Sequence, residues 1–211
     1  MRIMKPLLYK TLEHIELTFI SLFIAMLIAI PLGIFLSRTT GTFSQILLRF
    51  VAMIQTIPGL ALISLIVVML AALKEVFPLP TTGMLPAVLV LTLYALLPIL
   101  SSTHAALLQV GDKEKEVACA MGMTKRQVLF YIEIPLSLPV LINGVRISLV
   151  TTIGMVTLTS LVGSGGLGDF IIQGLRTLQP SLVLKGTIPA AILAIFFDLF
   201  LSKAENYFKA A

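Results

Sequence analysis

Long apolar stretches alternate with short polar breaks along almost the whole chain. Residues 17–36 and 51–73 carry no charge, 84–108 hold only His104, and 147–168 carry none. A fifth run, 187–201, is shorter and has Asp198 near its end. A helix crossing the hydrocarbon of a bilayer needs about 20 predominantly apolar residues. The pattern predicts an all-α integral membrane protein, one domain over 1–211, with spans at about 15–37, 51–73, 84–108, 140–162 and 186–202.

The breaks inside and between these runs carry information too. Thr56-Ile57-Pro58-Gly59 interrupts the second run, where a freed backbone must find partners in neighbouring helices or in a watered cavity. Pro58 and the adjacent Gln55 are read either as a packing kink or as part of a path through the protein. Residues 43–50 read as a brief interfacial helix, and 37–41 as a polar turn before it. In the fourth run Thr152, Met155 and Thr159 recur at helical spacing and define one face, which serves packing or lines a path. The segment 163–169, Gly-Ser-Gly-Gly-Leu-Gly-Asp, reads as a flexible loop leading to a short helix at 170–178.

The longest polar interruption is the island 111–139. It opens with Gly-Asp-Lys-Glu-Lys, continues Glu116-Val117-Ala118-Cys119-Ala120-Met121-Gly122, and closes after Ile132-Glu133-Ile134-Pro135. Asp112, Glu114 and Glu116 fall near the start of a helix, where its dipole favours anions, and Lys125 and Arg126 lie beyond its end. Ala118, Met121 and Gly122 share a small, flexible face. Pro135 and Pro139 are expected to stop the island's helix before the fourth span. On physical grounds alone the island is equally a solvated loop helix and a helix presented to a partner.

Composition narrows the class. With 58% hydrophobic and 12% charged residues, an ordinary soluble domain is excluded. Cys119 is the single cysteine, so neither a disulfide framework nor a cysteine-based metal site exists. No basic run is long enough to track nucleic-acid phosphates. The first apolar run is too long for a signal peptide and is expected to be retained as a span. Placing the island in the cytoplasm puts the N-terminus outside and the C-terminus inside. Basic residues then favour the inner side modestly, although Arg2, Lys5 and Lys10 oppose it. Arg146 and Asp198 are the charges nearest to hydrocarbon and are expected to pair or to snorkel to the interface. Glu13 and Glu16 flank His14 in what reads as a capping and interfacial pattern.

The island also resembles a known signature. Glu-Ala-Ala, three residues, Gly, nine residues, Ile-x-Leu-Pro marks the cytoplasmic loop of importer-type ABC transporter permeases. Glu116, Ala118, Gly122, Ile132 and Pro135 match it at the same spacing, with Val117 in place of the middle alanine and Ile134 in place of leucine. His14-Ile15-Glu16-Leu17-Thr18, Ile30-Pro31-Leu32-Gly33-Ile34, Gln55-Thr56-Ile57-Pro58, Tyr94-Ala95-Leu96-Leu97-Pro98-Ile99 and 161–170 resemble permeases for glycine betaine, carnitine and choline. The Gly-Gly-Leu-Gly element is shared with methionine-type permeases.

This resemblance implies a five-span, type I importer permease with a methionine-permease-like core, in a bacterial cytoplasmic membrane. It implies that the five island residues form a coupling helix docking onto an ABC ATPase present in two copies. A second permease copy or paralogue and an extracytoplasmic substrate-binding protein complete the assembly. ATP and Mg would be held by the ATPase, and no cofactor or metal by this chain, which has no Gly-x-x-x-x-Gly-Lys-Ser/Thr. Gln55, Pro58, Thr152, Met155 and Thr159 are then candidates for the translocation path. Gly165, Gly166, Gly168 and Asp169 become an outer gate loop, since a phosphate cradle needs a preceding strand and would be repelled by Asp169. The expected cargo is a quaternary-ammonium osmoprotectant, with methionine or another amino acid as the alternative and a non-transport scaffold more remote. A hydrolase is disfavoured: neither Gly-x-Ser-x-Gly nor His-Glu-x-x-His occurs.

Overall fold

In the computed structural model, which describes residues 4–39, 42–74 and 76–210, those residues form helices and connecting turns, with no strand. Arg2, Thr40 and Gly41, used above for the charge count and a polar turn, lie outside the described residues. The helices are α1 (Met4–Arg38), α2 (Thr42–Thr56), α3 (Gly59–Leu73), α4 (Met84–Gln109), α5 (Asp112–Ala120), α6 (Lys125–Val128), α7 (Ile134–Thr159), α8 (Gly168–Arg176) and α9 (Pro180–Ala210).

Four rods are long and apolar enough to cross a membrane: Pro6–Arg38, Met84–Gln109, Lys125–Val162 and Pro180–Lys209. The run expected as one span at 51–73, with a break or kink at Pro58, is bent far more sharply than a packing kink. It is split at Ile57-Pro58 into α2 and α3, which meet at 101°. Pro58 cannot donate a backbone hydrogen bond and leaves the α region at φ −54°, ψ 137°, so the helix ends and restarts. Leu47, Leu48 and Val51 of α2 join the core layer containing Leu36, Ala95 and Leu100. Leu62, Ile63, Ile66 and Leu70 of α3 pack in a second layer with Leu79, Leu85, Val90 and Val162. Leu36 and Val162 lie at opposite ends of the rods, so the two halves of the bent pair pack at different levels of the bundle; counted as one broken span, the pair brings the crossings among the described residues from four to five. The interfacial helix expected at 43–50 is therefore the first half of α2.

A second departure concerns Pro135 and Pro139, which do not stop the island helix. A π-turn at Leu129–Glu133 precedes α7, Pro135 sits in the first turn of α7, and the rod continues through Pro139. A prolyl residue is tolerated in a first turn, and the wider π-turn relaxes the backbone just before it.

The core is a three-helix layer of α1, α4 and α7, with α9 against α7. Small residues set its spacing, as they do where helices associate in lipid. A Cβ on Gly33 would lie 2.7 Å from the Thr103 side chain, and one on Gly144 would lie 2.4 Å from Ser102 Cβ. The outward faces stay apolar: Phe23, Leu27 and Phe35 of α1 and Ile192, Phe196 and Phe200 of α9 are exposed, as lipid-facing side chains should be.

Candidate functional site: the polar island, the glycine loop and the groove between them

The island folds as a helix, a sharp reversal and a second helix start. At the end of α5, Met123 N–H donates to Ala118 O (3.1 Å) and Gly122 N–H donates to Cys119 O (2.9 Å). With Gly122 at φ +82°, this is a Schellman closure, a conformation that glycine adopts without strain. Thr124 then caps α6: its hydroxyl accepts from Gln127 N–H (3.4 Å), and Gln127 Oε1 accepts from Thr124 N–H (2.7 Å). The sequence Met121-Gly122-Met123-Thr124 is thus a C-cap followed directly by an N-cap.

Of the five signature residues, Glu116, Gly122 and Pro135 are exposed, Ile132 is half-buried, and Ala118 is buried. Of the face expected from Ala118, Met121 and Gly122, Met121 and Gly122 are exposed and Ala118 is not. Ala118 turns inward, while Val117 and Met121, one helical turn apart, are 61% and 77% exposed. A cleft lined by Lys113, Glu114, Val117, Tyr131, Ile132, Pro135 and Leu136 runs beside them. Such exposed apolar side chains around a charged helix mark a surface built to be covered.

Beneath the island lies an ion pair that the signature does not include. Glu133, only 1% exposed, is held in a fork by the Arg38 guanidinium, with Nη1–Oε1 at 2.8 Å and a second contact between Nη2 and Oε2. Span one is thereby joined to the segment leading into α7. Further along α7, Arg146 binds Asp198 (3.3 Å) and Glu205 (3.1 Å), and Lys209 closes on Glu205 (2.5 Å). The expected Arg146–Asp198 pair is present, within a larger network.

At the other end of the rods, Gly163, Gly165 and Gly166 have φ of +79°, +85° and +84°. A Cβ on Gly168 would lie 2.3 Å from Ser160 Oγ and from Thr157 O. These glycines serve a tight turn and a close approach. The loop is held rather than loose: Ser160 Oγ donates to Gly165 O (2.6 Å), Gly166 N–H donates to Glu13 Oε2 (3.0 Å), and Leu167 N–H reaches His14 Nδ1 (3.4 Å). Because Nδ1 accepts, the His14 proton sits on Nε2, which donates to Ile153 O (3.0 Å). Lys10 bridges Glu13 (2.8 Å) and Asp169 (2.7 Å). Instead of capping α1, Glu13 and His14 bind a loop 153 residues away. The short helix that follows is α8, beginning at Gly168.

Between these two ends, a groove is lined by Gln55, Tyr94, Thr151, Gly154, Met155, Thr157 and Leu158. The Pro58 break faces it indirectly: Tyr94 OH donates to Ile57 O, and Gln55 Nε2 donates to Tyr94 O (2.8 Å). Of the path candidates, Gln55 and Met155 lie on this groove. Thr152 and Thr159 do not, being 1% and 0% exposed on the inward face, where Thr159 accepts from Ser164 (3.0 Å). Helical spacing placed Met155 with them, but Met155 sits at the edge between the two faces, and Thr151 and Gly154 occupy the open side. Tyr94 was missed because nothing in its local sequence distinguishes it from a core aromatic. Among the described residues no group of three or more His, Cys, Asp or Glu side chains could hold a metal ion.

Residues 29–206 match the family described as binding-protein-dependent transport system inner membrane component. The chain is 38% identical over 200 residues to the choline transport system permease protein OpuBB of Bacillus subtilis, covering 95% of this chain and 87% of that one. It is 36% identical, with the same coverage, to that organism's glycine betaine/carnitine/choline transport system permease protein OpuCB. In fold it is similar to a chain of the MetNI methionine ABC transporter, with a TM-score of 0.82, 24% identity and 96% of each chain covered.

Proposed function

The chain belongs to the binding-protein-dependent inner-membrane components of ABC importers, as a permease subunit, and from that premise we propose that it conducts a quaternary-ammonium osmoprotectant of the betaine, carnitine or choline class. The observation that carries the cargo is the groove joined to the likeness with choline and betaine permeases. Its lining is uncharged and mainly apolar, with Gln55, Thr151 and Thr157 as its polar side chains and a single aromatic, Tyr94. A methylammonium group is bulky, carries no N–H donor and spreads its charge over its methyl groups, so it asks for no hydrogen-bond acceptor in such a path, and one aromatic face gives weak cation–π attraction without trapping the cargo. Selectivity then resides in the binding protein that delivers it.

The remaining parts follow from the same reading. Glu116, Val117, Gly122, Ile132 and Pro135 form the surface that meets the ATPase, which holds ATP and Mg. Two permeases, identical or paralogous, face each other across the Gln55–Tyr94–Met155 groove, and two ATPases bind their islands. Gly165, Gly166, Gly168 and Asp169 belong to the outer gate. ATP-driven closure of the ATPase pair biases the permease between inward- and outward-open states.

The cargo is tested by uptake into vesicles carrying permease, ATPase and binding protein, using labelled choline, betaine, carnitine and methionine. At least one quaternary-ammonium compound is expected to accumulate with ATP; accumulation of methionine alone would overturn the reading.

Orientation has its own test. In a Cys119→Ala background, Lys113→Cys and Ser164→Cys are expected to react with an impermeant thiol reagent from opposite sides of the membrane, Lys113→Cys from the cytoplasm. Ser164 is preferred to its neighbour, because a Cβ on Gly165 would lie 2.5 Å from Glu13 Oε2. Labelling of both from one side would refute an N-out, C-in topology.

A further inference from the structure

Span one is tied at its two ends to two different moving parts. Its outer end carries Lys10, Glu13 and His14, which together bind Asp169, the Gly166 and Leu167 N–H groups and Ile153 O. Its inner end carries Arg38, which forks onto Glu133 on the π-turn leading into α7. Between Lys10 and Arg38, α1 is continuous helix of about 40 Å at 1.5 Å per residue, with Pro31 inside it. That length covers a bilayer from interface to interface.

These ties close a frame. One long side is α1 and the other is α7, which starts immediately after Glu133 and ends at the loop that Glu13 and His14 hold. Both short sides are charged or buried hydrogen bonds. A guanidinium–carboxylate fork fixes orientation as well as distance. Glu133 and His14 are 1% and 0% exposed, so neither can exchange its partner for water without moving a helix. The inner end of α7 follows a π-turn and carries Pro135 and Pro139 within its first two turns, whereas α1 has the single interior Pro31, so α1 is the less interrupted of the two. With α1 fastened across both ends of α7, a displacement at the island cannot dissipate in those turns.

We propose that α1 is the strut that carries motion from the ATPase-facing island to the outer loop, with Arg38 and Glu133 as its inner fastening and Lys10, Glu13 and His14 as its outer one. All five are positioning residues in this role. The inference rests on the proposed docking of the island to the ATPase and deepens it.

The test uses the assembled transporter in lipid nanodiscs, with Cys119→Ala and Ser164→Cys, and reads the maleimide labelling rate at position 164 with and without ATP and vanadate. That background is expected to change rate severalfold on trapping. Glu133→Gln or Arg38→Met should reduce the change to less than twofold while bound ATPase continues to hydrolyse ATP. The charge-exchanged pair Arg38→Glu with Glu133→Arg should recover part of it. Glu13→Gln should raise labelling without nucleotide. A full ATP-dependent change in Glu133→Gln overturns the strut. Should the inner variants fail to assemble, Lys10→Met, Glu13→Ala and His14→Phe together cut the outer fastening, and a full response there overturns it equally. Failure of the docking or gate reading looks different: the unsubstituted background would itself show no response to ATP, which would remove the strut with it.

Discussion

Gly122→Leu is expected to reduce ATP-driven uptake to background while the permease remains inserted and folded. The expectation comes from two features of the turn after α5. First, Gly122 has φ +82°, and a side chain there strains the backbone whatever space surrounds it. A left-handed conformation costs an ordinary residue about 1–2 kcal/mol, which the turn would relieve by opening its Schellman closure and tilting α5. Second, a Cβ on Gly122 would meet nothing within 4 Å, so a side chain there leaves the backbone into open space. It projects into the space that a docked ATPase would occupy. Loss of a well-packed docking contact of about 3 kcal/mol weakens association by roughly 100-fold. Co-purification of the ATPase and vesicle uptake check both consequences. Gly122→Asn separates them, because asparagine tolerates the left-handed region and is small: it should keep the ATPase bound and retain most of the uptake. Uptake at the normal rate in Gly122→Leu would sink the coupling role of the island.

How much of this was legible beforehand depends on sequence distance. Apolar runs are local, so the crossings could be read from composition, and the Met121-Gly122-Met123-Thr124 turn follows from residue types a few positions apart. The 101° bend at Pro58 was visible as a breaker but not as an angle, since the angle is set by where α4 and α7 receive the two halves. The ties that fasten α1 were not legible. Glu133 reads as the variable position of a signature, and only Arg38, 95 residues away, reveals what it does. Glu13 and His14 look like an interfacial pattern until the loop 153 residues on is brought to them. Within the face of α5, Ala118 was misread for a related reason: a small residue suits a close approach equally well to a partner or to its own protein, and it is α6 and the π-turn that claim it. At Thr152 and Thr159 the helical period was correct, but period alone does not say which side of α7 faces the rest of the molecule.

Arg146→Met should be the most destabilising single substitution among the charged residues of the last two rods. Arg146 bridges α7 to α9 by an ion pair with Asp198 and by donating from Nη1 to Glu205, whose side chain is 10% exposed. Removing the cation leaves that carboxylate beside hydrocarbon with only Lys209, whose side chain is 56% exposed and sits at the helix end. Breaking a buried pair by deleting one partner costs about 3–5 kcal/mol when the surviving charge is left without compensation, and Lys209 on Glu205 should hold the loss to the lower end of that range. Arg146→Lys should lose less but not be neutral, since an ammonium is a single point charge and cannot hold two carboxylates in the guanidinium's planar fork. Asp198→Asn should be the mildest, because Asp198 is 45% exposed and water already screens its pairing. Thermal unfolding of the purified permease, followed through a fluorescent thiol probe on the exposed Cys119, orders the three. The melting temperature should fall least for Asp198→Asn, further for Arg146→Lys and furthest for Arg146→Met. Equal losses for Asp198→Asn and Arg146→Met would mean that Asp198 carries the bridge and Glu205 does not. An Arg146→Met protein as stable as the parent would mean that α7 and α9 are held by their apolar contacts alone, with the charges merely snorkelling to the interface.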